Sequence, residues 1–303
     1  MKTQKVSGME IVPPKGTSGQ CETAPNQIKL PTVTIFCGKR QSGKTLACVS
    51  ALETLPFDRI FWVGVSIKSN QELIKRLKIQ PEDMFEDTDD LSIIDKIRAA
   101  VEEEARELEK AEEEMRRYKK LMKMIHSENN LFRLPDDDLE AFYKDGDFQP
   151  PTHKYNFRKP CIGAVFDDAM GSMLYSKPRK LNALTTYSRH VGAFEDGRPA
   201  IGINLFFLIQ TLKAQVGGLT KVIRNQATHY IIFRTMNNKE LEDLAEAVSG
   251  EVSEAVFYKV YNQAIYGPNS DRHSFLMIDL NKKPNHPSMF RGPDFNTFII
   301  PPE

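Results

Sequence analysis

Residues 32–45 read Thr-Val-Thr-Ile-Phe-Cys-Gly-Lys-Arg-Gln-Ser-Gly-Lys-Thr. The last eight match the phosphate-binding pattern G-x-x-x-x-G-K-[ST], and the six before them have the apolar, β-branched composition of a buried strand. Good helix formers run from Thr45 to Leu52 and stop before Pro56. The pattern therefore has the order of strand, loop and helix that it requires, which argues against a chance glycine-rich turn.

This loop predicts a site for ATP with Mg²⁺. Its glycines let backbone N–H groups and the start of the next helix point at phosphate oxygens. We expect Lys44 to reach the β and γ phosphates and Thr45 to give its hydroxyl to Mg²⁺, while Arg40 is a further candidate for the γ phosphate. The predicted nucleotide-binding residues are Gly38, Lys39, Arg40, Gln41, Ser42, Gly43, Lys44 and Thr45.

The composition of the 303 residues is ordinary for a globular protein, with 40% hydrophobic and 27% charged residues. No apolar run approaches the length of a membrane span, and Lys2 and Lys5 are not followed by the apolar segment of a secretory signal. We expect one large domain at 28–303, with a flexible N-terminal arm at 1–27. The four cysteines lack C-x-x-C spacing and are expected to be reduced core residues of an intracellular protein, rather than disulfides or zinc ligands.

Charge is unevenly distributed along a chain whose formal net charge is zero. Residues 171–235 hold nine Lys or Arg against two acidic residues, a balance of +7. Residues 71–148 hold 23 acidic against 14 basic residues, a balance of −9. This separation is expected if one surface meets a polyanion while another is only solvated.

Apolar runs alternate with helical patterns through the chain. Buried strands are predicted at residues 32–37, 59–65, 162–166, 203–209 and 229–233, with a further strand at 275–279. This order, with a phosphate loop after the first strand, predicts an α/β fold with a mainly parallel sheet and helices on both faces.

An acidic insertion interrupts this core at about residues 81–150, and it contains a long helical pattern at 91–125. Apolar residues recur there every three or four positions and form one stripe. The helix could serve as a lever, a docking arm or a subunit contact. We favour the simpler interpretation, in which the stripe packs on its own domain and the other side is solvated.

Two neighbouring acids, Asp167 and Asp168, end the apolar run that includes Val165 and Phe166. Phosphoryl transfer needs a metal-holding carboxylate and a group that activates water. We expect Asp167 to hold Mg²⁺ together with Thr45, and Asp168 to polarise the attacking water. The alternative is a pair of acids that cap a strand end.

Three further residues are candidates for sensing or stabilising the γ phosphate. Gln210 ends the strand at 203–209, where an amide can contact both water and phosphate, or can be satisfied by neighbouring backbone. Arg189 and Arg224 precede the fourth and fifth strands, and either could neutralise charge on the transferring phosphoryl group across a subunit interface. Both could instead bind DNA phosphates or lie free on the surface.

Basic residues also follow the second motif and the strand that ends in Gln210. Loops in these positions are expected at the same edge of the sheet, where they could grip phosphates of double-stranded DNA without reading sequence. Few aromatic residues accompany them, which favours a duplex over single strands. The candidates are Lys177, Arg179, Lys180, Lys213 and Lys221.

Together these motifs resemble those of the FtsK and HerA superfamily of DNA-pumping ATPases. The resemblance spans roughly residues 28–280 and rests on the phosphate loop, Val165 to Asp168, Arg189-His190, the strand ending in Gln210 and the segment 223–233. Within the superfamily, the genome-packaging ATPases of large double-stranded DNA viruses of the poxvirus-like branch are the most similar. The chain departs from the pattern in a longer stretch at 192–202, and in Asp168 where a glutamate is commoner.

The resemblance implies a RecA-like core with an additional strand and a homo-oligomeric ring of subunits around duplex DNA. It also implies ATP hydrolysis that moves viral DNA into a preformed capsid, contacts with capsid or portal-vertex proteins, and assembly in the cytoplasm of an infected cell. A replication or repair helicase, a non-hydrolysing nucleotide-dependent scaffold and a protein-secreting ATPase are the alternatives, because a fold does not name its cargo.

Overall fold

An eight-stranded sheet organises the chain in a computed structural model that describes residues 21–126, 136, 149–214, 217–235, 237–268 and 270–301. The order of strands across the sheet is β3-β2-β4-β5-β1-β6-β7-β8. The strands are β1 (Val33–Cys37), β2 (Arg59–Gly64), β3 (Met84–Phe85), β4 (Ile162–Asp167), β5 (Asn204–Ile209), β6 (His229–Phe233), β7 (Phe275–Asp279) and β8 (Phe290–Arg291).

Helices connect these strands. The α-helices, numbered along the described residues, are α1 (Lys44–Thr54), α2 (Gln71–Ile74), α3 (Ile93–His126), α4 (Met173–Ser176), α5 (Arg179–Thr186), α6 (Lys221–Gln226), α7 (Asn238–Ala247) and α8 (Glu254–Tyr266). Short 3₁₀ turns occur at Lys75–Leu77, Pro81–Asp83 and Ser188–His190. Within the described residues, no helix combines the length and apolar character needed to cross a membrane.

The mainly parallel sheet predicted from the sequence is confirmed. The strands from β3 to β6 in sheet order are parallel, whereas β7 and β8 are antiparallel to their neighbours. All six predicted strands are present. Strands β3 and β8 escaped prediction because each has only two residues, too few for a recognisable apolar run.

Both faces of the sheet are covered, which explains why its strands are continuous apolar runs. In β5, Leu205, Phe207 and Ile209 belong to the core beneath α3 and α5, while Phe206 and Leu208 belong to the core beneath α1. Successive side chains of a strand point to opposite faces, so a strand buried on both sides needs an apolar residue at every position.

The long helix α3 confirms the predicted helical insertion, and its stripe packs on its own domain as favoured above. Ile97, Val101, Ala105 and Leu108 are at most 1% exposed and belong to the main core. Residues 1–20 of the predicted arm at 1–27, and most of residues 127–148 of the insertion, lie outside the described residues.

A buried acid of α3 has a structural role that the stripe pattern did not reveal. Glu104 is 2% exposed and accepts a hydrogen bond of 2.9 Å from Nη1 of Arg59 at the start of β2. Arg59 also forms a bidentate pair with the buried Asp83, and Lys154 lies 2.7 Å from the second Glu104 oxygen. These ion pairs connect the insertion to the edge of the sheet.

Replacing Arg59 by Met is expected to destabilise the fold, because it leaves the buried Asp83 carboxylate without its cation. Removing one partner of a buried ion pair costs about 3–5 kcal/mol, and the low end is expected here since Lys154 still pairs with Glu104. Urea unfolding measures the change. The control is Arg106→Met, which removes a solvent-exposed ion pair between Arg106 and Glu103 of α3. It should leave the free energy of unfolding unchanged. Equal stability of the two variants would contradict the role given to Arg59.

Candidate nucleotide site at the carboxyl edge of the sheet

The sheet brings three sequence motifs together at one edge. Strand β5 lies between β1 and β4, so the three strands end side by side in parallel. The phosphate loop follows β1, Asp167 and Asp168 end or follow β4, and Gln210 follows β5. This is the additional-strand arrangement that the motif resemblance implies, and it places these three motifs at the carboxyl edge, where ligands of parallel sheets bind.

The phosphate loop has a backbone that depends on its glycines. Gly43 has φ of 96° and Gln41 has φ of 62°, both in the left-handed region. A Cβ atom on Gly38 would lie 2.7 Å from both Phe233 Cβ and Ser42 Oγ. The loop therefore has no room for a larger residue at Gly38, and its backbone can approach a ligand closely.

Lys44 is the first residue of α1, and its side chain reaches back to the phosphate loop. Its Nζ donates to the carbonyl oxygens of Gly38 at 2.7 Å and Lys39 at 3.0 Å. Burial lowers the pKa of Lys44, and the nearby charge of Asp167 opposes that change. The ammonium group is thus held in the loop, where it can exchange its carbonyl partners for phosphate oxygens.

Asp167 is the buried carboxylate of the site, with 3% of the residue exposed. Its Oδ2 accepts hydrogen bonds from Ser66 Oγ at 3.0 Å and from Thr45 Oγ1 at 3.4 Å. Burial raises the pKa of Asp167, although the hydrogen bond from Ser66 acts in the opposite direction. The structure therefore brings together the two predicted metal ligands, which are 122 positions apart in the chain.

Ser66 was missed by sequence reasoning, although it follows a predicted strand in the same way as Asp167. Strand β2 pairs with β4 so that Gly64 lies opposite Asp167, and the chain beyond Gly64 passes beside the carboxylate. A Cβ atom on Gly64 would lie 2.3 Å from the Asp167 carbonyl oxygen. The signal in the sequence is a glycine at a strand end followed closely by a hydroxyl residue.

The donors of this site fit Mg²⁺ bound with a nucleotide. A hydroxyl and a carboxylate oxygen are hard oxygen ligands, and Mg²⁺ is usually held by one or two carboxylates together with substrate phosphates. The hydroxyl of Ser42 is buried within the loop and has no hydrogen-bond partner among the described residues. A phosphate in the loop would offer that hydroxyl an acceptor.

Asp168 and Gln210, both predicted to act at the γ phosphate, contact each other. Nε2 of Gln210 donates to Oδ1 of Asp168 at 3.0 Å, and both residues are exposed. Asp168 has φ of 52°, a left-handed conformation that costs a non-glycine residue about 1–3 kcal/mol. Strained backbone of this kind is concentrated at functional sites, and here it turns a carboxylate toward the end of the neighbouring strand.

The predicted arginines lie at different places in the fold. Arg189 is exposed beside a groove near Leu30, Thr32 and Thr228, at the amino ends of β1 and β6. This is the opposite edge of the sheet. Arg40 is exposed in the phosphate loop, within the chain's own site.

Arg224 has a partner within its own subunit. Its Nη1 donates to the carbonyl oxygen of Leu212 at 2.9 Å, two positions after Gln210. It therefore contacts the chain that follows the γ-phosphate candidate, and its guanidinium is half-buried there rather than projecting from the surface.

The five basic candidates lie on the loops and short helices that follow β4 and β5, as expected. These two connections contact each other, with Gly171 N donating to Gly217 O at 2.9 Å. Lys180 forms an ion pair with Asp95 of α3, and Lys213 lies 2.5 Å from Asp243 of α7. Among the described residues no ion pair is recorded for the exposed Lys177, Arg179 and Lys221.

A second residue missed from the sequence packs on the phosphate loop. His273 precedes β7, and its Nδ1 lies 3.2 Å from the carbonyl oxygen of Ser42. Nε of Arg272 donates a hydrogen bond of 2.8 Å to Nε2 of the same ring. No motif marks this pair. Only the antiparallel return of β7 beside β6 brings it to the loop.

Solved structures resemble the chain only distantly. No family model and no curated protein matches the chain. The genome packaging NTPase B204 from Sulfolobus turreted icosahedral virus 2, in complex with sulfate, is 13% identical with a TM-score of 0.41, and the match covers 88% of this chain and 96% of that one. The conjugation coupling protein TcpA of pCW3 is 17% identical with a TM-score of 0.38, over 84% of this chain and 58% of that one. Similarities at this level do not assign a family.

Replacing Asp167 by Asn is expected to raise the melting temperature of the nucleotide-free protein at pH 7. Because the folded pKa is raised, the contribution of this group to stability is present at low pH and lost as the pH rises through that pKa. Asparagine has nearly the same shape but no charge, so it removes the cost of burying an ionised carboxylate. A change of about 1 kcal/mol shifts Tm by roughly 2–4 °C. The advantage should decrease as the pH falls and vanish below about pH 4, where the carboxyl is protonated in both the folded and the unfolded protein.

Asp167→Asn should also lose the part of the stabilisation by ATP that depends on Mg²⁺. Thermal unfolding in ATP, with and without EDTA, measures that part. Asp168→Asn, at the exposed neighbour, is the matched control and should raise the Tm of the nucleotide-free protein by less, because it removes only the like-charge repulsion on Asp167 and not the cost of burying that carboxylate. A lower Tm for Asp167→Asn at pH 7, or full retention of the Mg²⁺ effect, would show that Asp167 is a structural acid.

Proposed function

We propose that this chain is a Mg²⁺-dependent ATPase that couples hydrolysis to movement of double-stranded DNA, as the motor of a viral genome-packaging machine. One observation carries the ATPase part. Lys44, Thr45, Asp167, Asp168 and Gln210 come from three separate segments and meet at one edge of the sheet, with hydrogen bonds of 3.0–3.4 Å joining Thr45 to Asp167 and Gln210 to Asp168.

Each of these residues has a distinct role in phosphoryl transfer. Lys44 and the backbone N–H groups of the loop hold the β and γ phosphates, and the positive end of α1 adds to that attraction. Thr45 and Asp167 would hold Mg²⁺, which neutralises phosphate charge when bound. Asp168 polarises a water for attack on the γ phosphorus, so that the bond to the leaving ADP oxygen breaks. Gln210 orients that water and contacts the γ phosphate.

The DNA part rests on charge and position. Exposed Lys177, Arg179 and Lys221 lie on the two connections that follow Asp168 and Gln210 in the chain, and these connections contact each other between Gly171 and Gly217. In this proposal a change at the γ phosphate is passed along these connections to groups that attract DNA phosphates. Lys180 and Lys213 contribute less in this proposal, because acids of the same chain neutralise them.

We further propose that the subunits form a ring, that the ring docks on capsid or portal-vertex proteins, and that it works in the cytoplasm of an infected cell. The motif resemblance supports these parts of the proposal. In a ring, Arg189 is the better candidate for an arginine that acts on a neighbouring subunit's ATP. It is exposed, whereas Arg224 is held by Leu212 O.

ATP turnover measured with and without linear duplex DNA tests the function. The proposal expects Mg²⁺-dependent hydrolysis that duplex DNA stimulates, and loss of hydrolysis of about 10²-fold or more in Lys44→Ala, since electrostatic groups at a transferring phosphoryl supply several kcal/mol. Unwinding of a forked substrate would indicate a helicase instead. ATP binding without turnover would indicate a scaffold, and hydrolysis indifferent to DNA would remove the DNA partner.

Neutralising Lys177, Arg179 and Lys221 to Gln is expected to weaken duplex binding at all sequences alike. Each lost phosphate contact makes the slope of log K against log salt concentration shallower by about 0.9, so the full effect is up to about 2.7. The matched control neutralises Lys180 and Lys213, whose partners are Asp95 and Asp243. Fluorescence anisotropy over a salt series measures both, and equal slopes for the two variants would contradict the assignment.

A further inference from the structure

A buried carboxylate beside the candidate site is not used by the chemistry proposed above. Glu240, in the first turn of α7, is 6% exposed. Its Oε1 accepts hydrogen bonds from the Thr211 hydroxyl and, at 3.1 Å, from Leu212 N, while its Oε2 accepts from Thr235 Oγ1 at 3.0 Å. A buried carboxylate is expensive unless its oxygens are satisfied, and here three donors satisfy them.

Arg224 holds the same segment from the other side. Its guanidinium donates to the carbonyl oxygen of Leu212 at 2.9 Å, so both backbone polar groups of Leu212 are bound to charged side chains. Two helices, α6 through Arg224 and α7 through Glu240, are thereby connected to one residue. We call Thr211, Leu212, Arg224, Thr235 and Glu240 the Glu240 cluster.

The Glu240 cluster joins the two strands that flank β1. Thr211 and Leu212 directly follow Gln210 at the end of β5, whereas Thr235 follows β6. The last residue of β6, Phe233, packs against Gly38 of the phosphate loop. The cluster therefore connects the residue that contacts Asp168 to both helices and to the strand behind the loop.

We infer that Arg224 and Glu240 are positioning residues that couple nucleotide occupancy at Gln210 to the positions of two helices, Arg224 to α6, which carries Lys221, and Glu240 to α7. When Gln210 exchanges Asp168 for the γ phosphate, Thr211 and Leu212 move with it, and their charge-assisted hydrogen bonds make α6 and α7 follow. Such bonds are shorter and about twice as strong as neutral ones, so they transmit the displacement rather than break. This inference rests on the proposed nucleotide site but not on DNA as the cargo.

Hydrogen–deuterium exchange of Glu240→Gln, with and without a non-hydrolysable ATP analogue and Mg²⁺, tests the coupling. In the wild type, the analogue should change exchange in peptides covering Thr211–Lys213, Lys221–Gln226 and Asn238–Ala247. In Glu240→Gln the change at Asn238–Ala247 should decrease by at least about fivefold, the low end of typical coupling between sites, while the Kd of the analogue changes less than about twofold. Glu246→Gln, an exposed acid of the same helix, is the matched control and should behave as wild type.

Thr211→Val, which removes one donor to Glu240 and keeps the carboxylate, is the second variant and should give a partial loss. If Glu240→Gln does not fold, the result for Thr211→Val decides. Analogue binding with no change in exchange at Lys221–Gln226 or at Asn238–Ala247 in the wild type would overturn the inference, as would a wild-type response in both variants. Failure of the wild type to bind the analogue would instead remove the proposed nucleotide site.

Discussion

The position of β5 between β1 and β4 is the constraint on which the site depends. Because the three strands are parallel and hydrogen-bonded in register, their carboxyl ends present the phosphate loop, the acid pair and Gln210 at one edge, where hydrogen bonds join Thr45 to Asp167 and Gln210 to Asp168. The core on both faces keeps this register, since a shift by one residue would turn every side chain of β5 to the wrong face. The packing of the core on both faces of the sheet therefore keeps the site residues in place at this edge.

Three buried carboxylates show how the same residue type acquires different roles. Glu104 has two cations and connects the insertion to the sheet. Glu240 has three hydrogen-bond donors that follow the ends of two strands. Among the residues that the structure describes, Asp167 has only two hydroxyl partners, which must offset the cost of burial. The first two are satisfied by their surroundings, whereas Asp167 remains short of positive charge, as expected of a group that holds a metal ion with its substrate.

The fold was largely predictable, and the failures have physical causes. Long apolar runs identified six strands, and a stripe with helical period identified α3, because these signals are local. Strands β3 and β8 are too short to carry such a signal. The roles of the site residues stay predictions, although Thr45 with Asp167, and Asp168 with Gln210, do lie together. Arg224 could not be placed from the sequence, since its partner is a backbone carbonyl that no side-chain pattern marks.

The sequence by itself determined the phosphate loop, the acid pair at a strand end, the alternation of strands and helices and the position of the insertion. Each depends on the spacing of residues that are neighbours in the chain. Only the tertiary structure decided which strand lies between which, that Ser66 and His273 reach the site, that Lys180 and Lys213 are neutralised, and that Glu240 is buried. These are contacts between segments far apart in the chain, and they follow from strand order and packing, on which local composition carries no information.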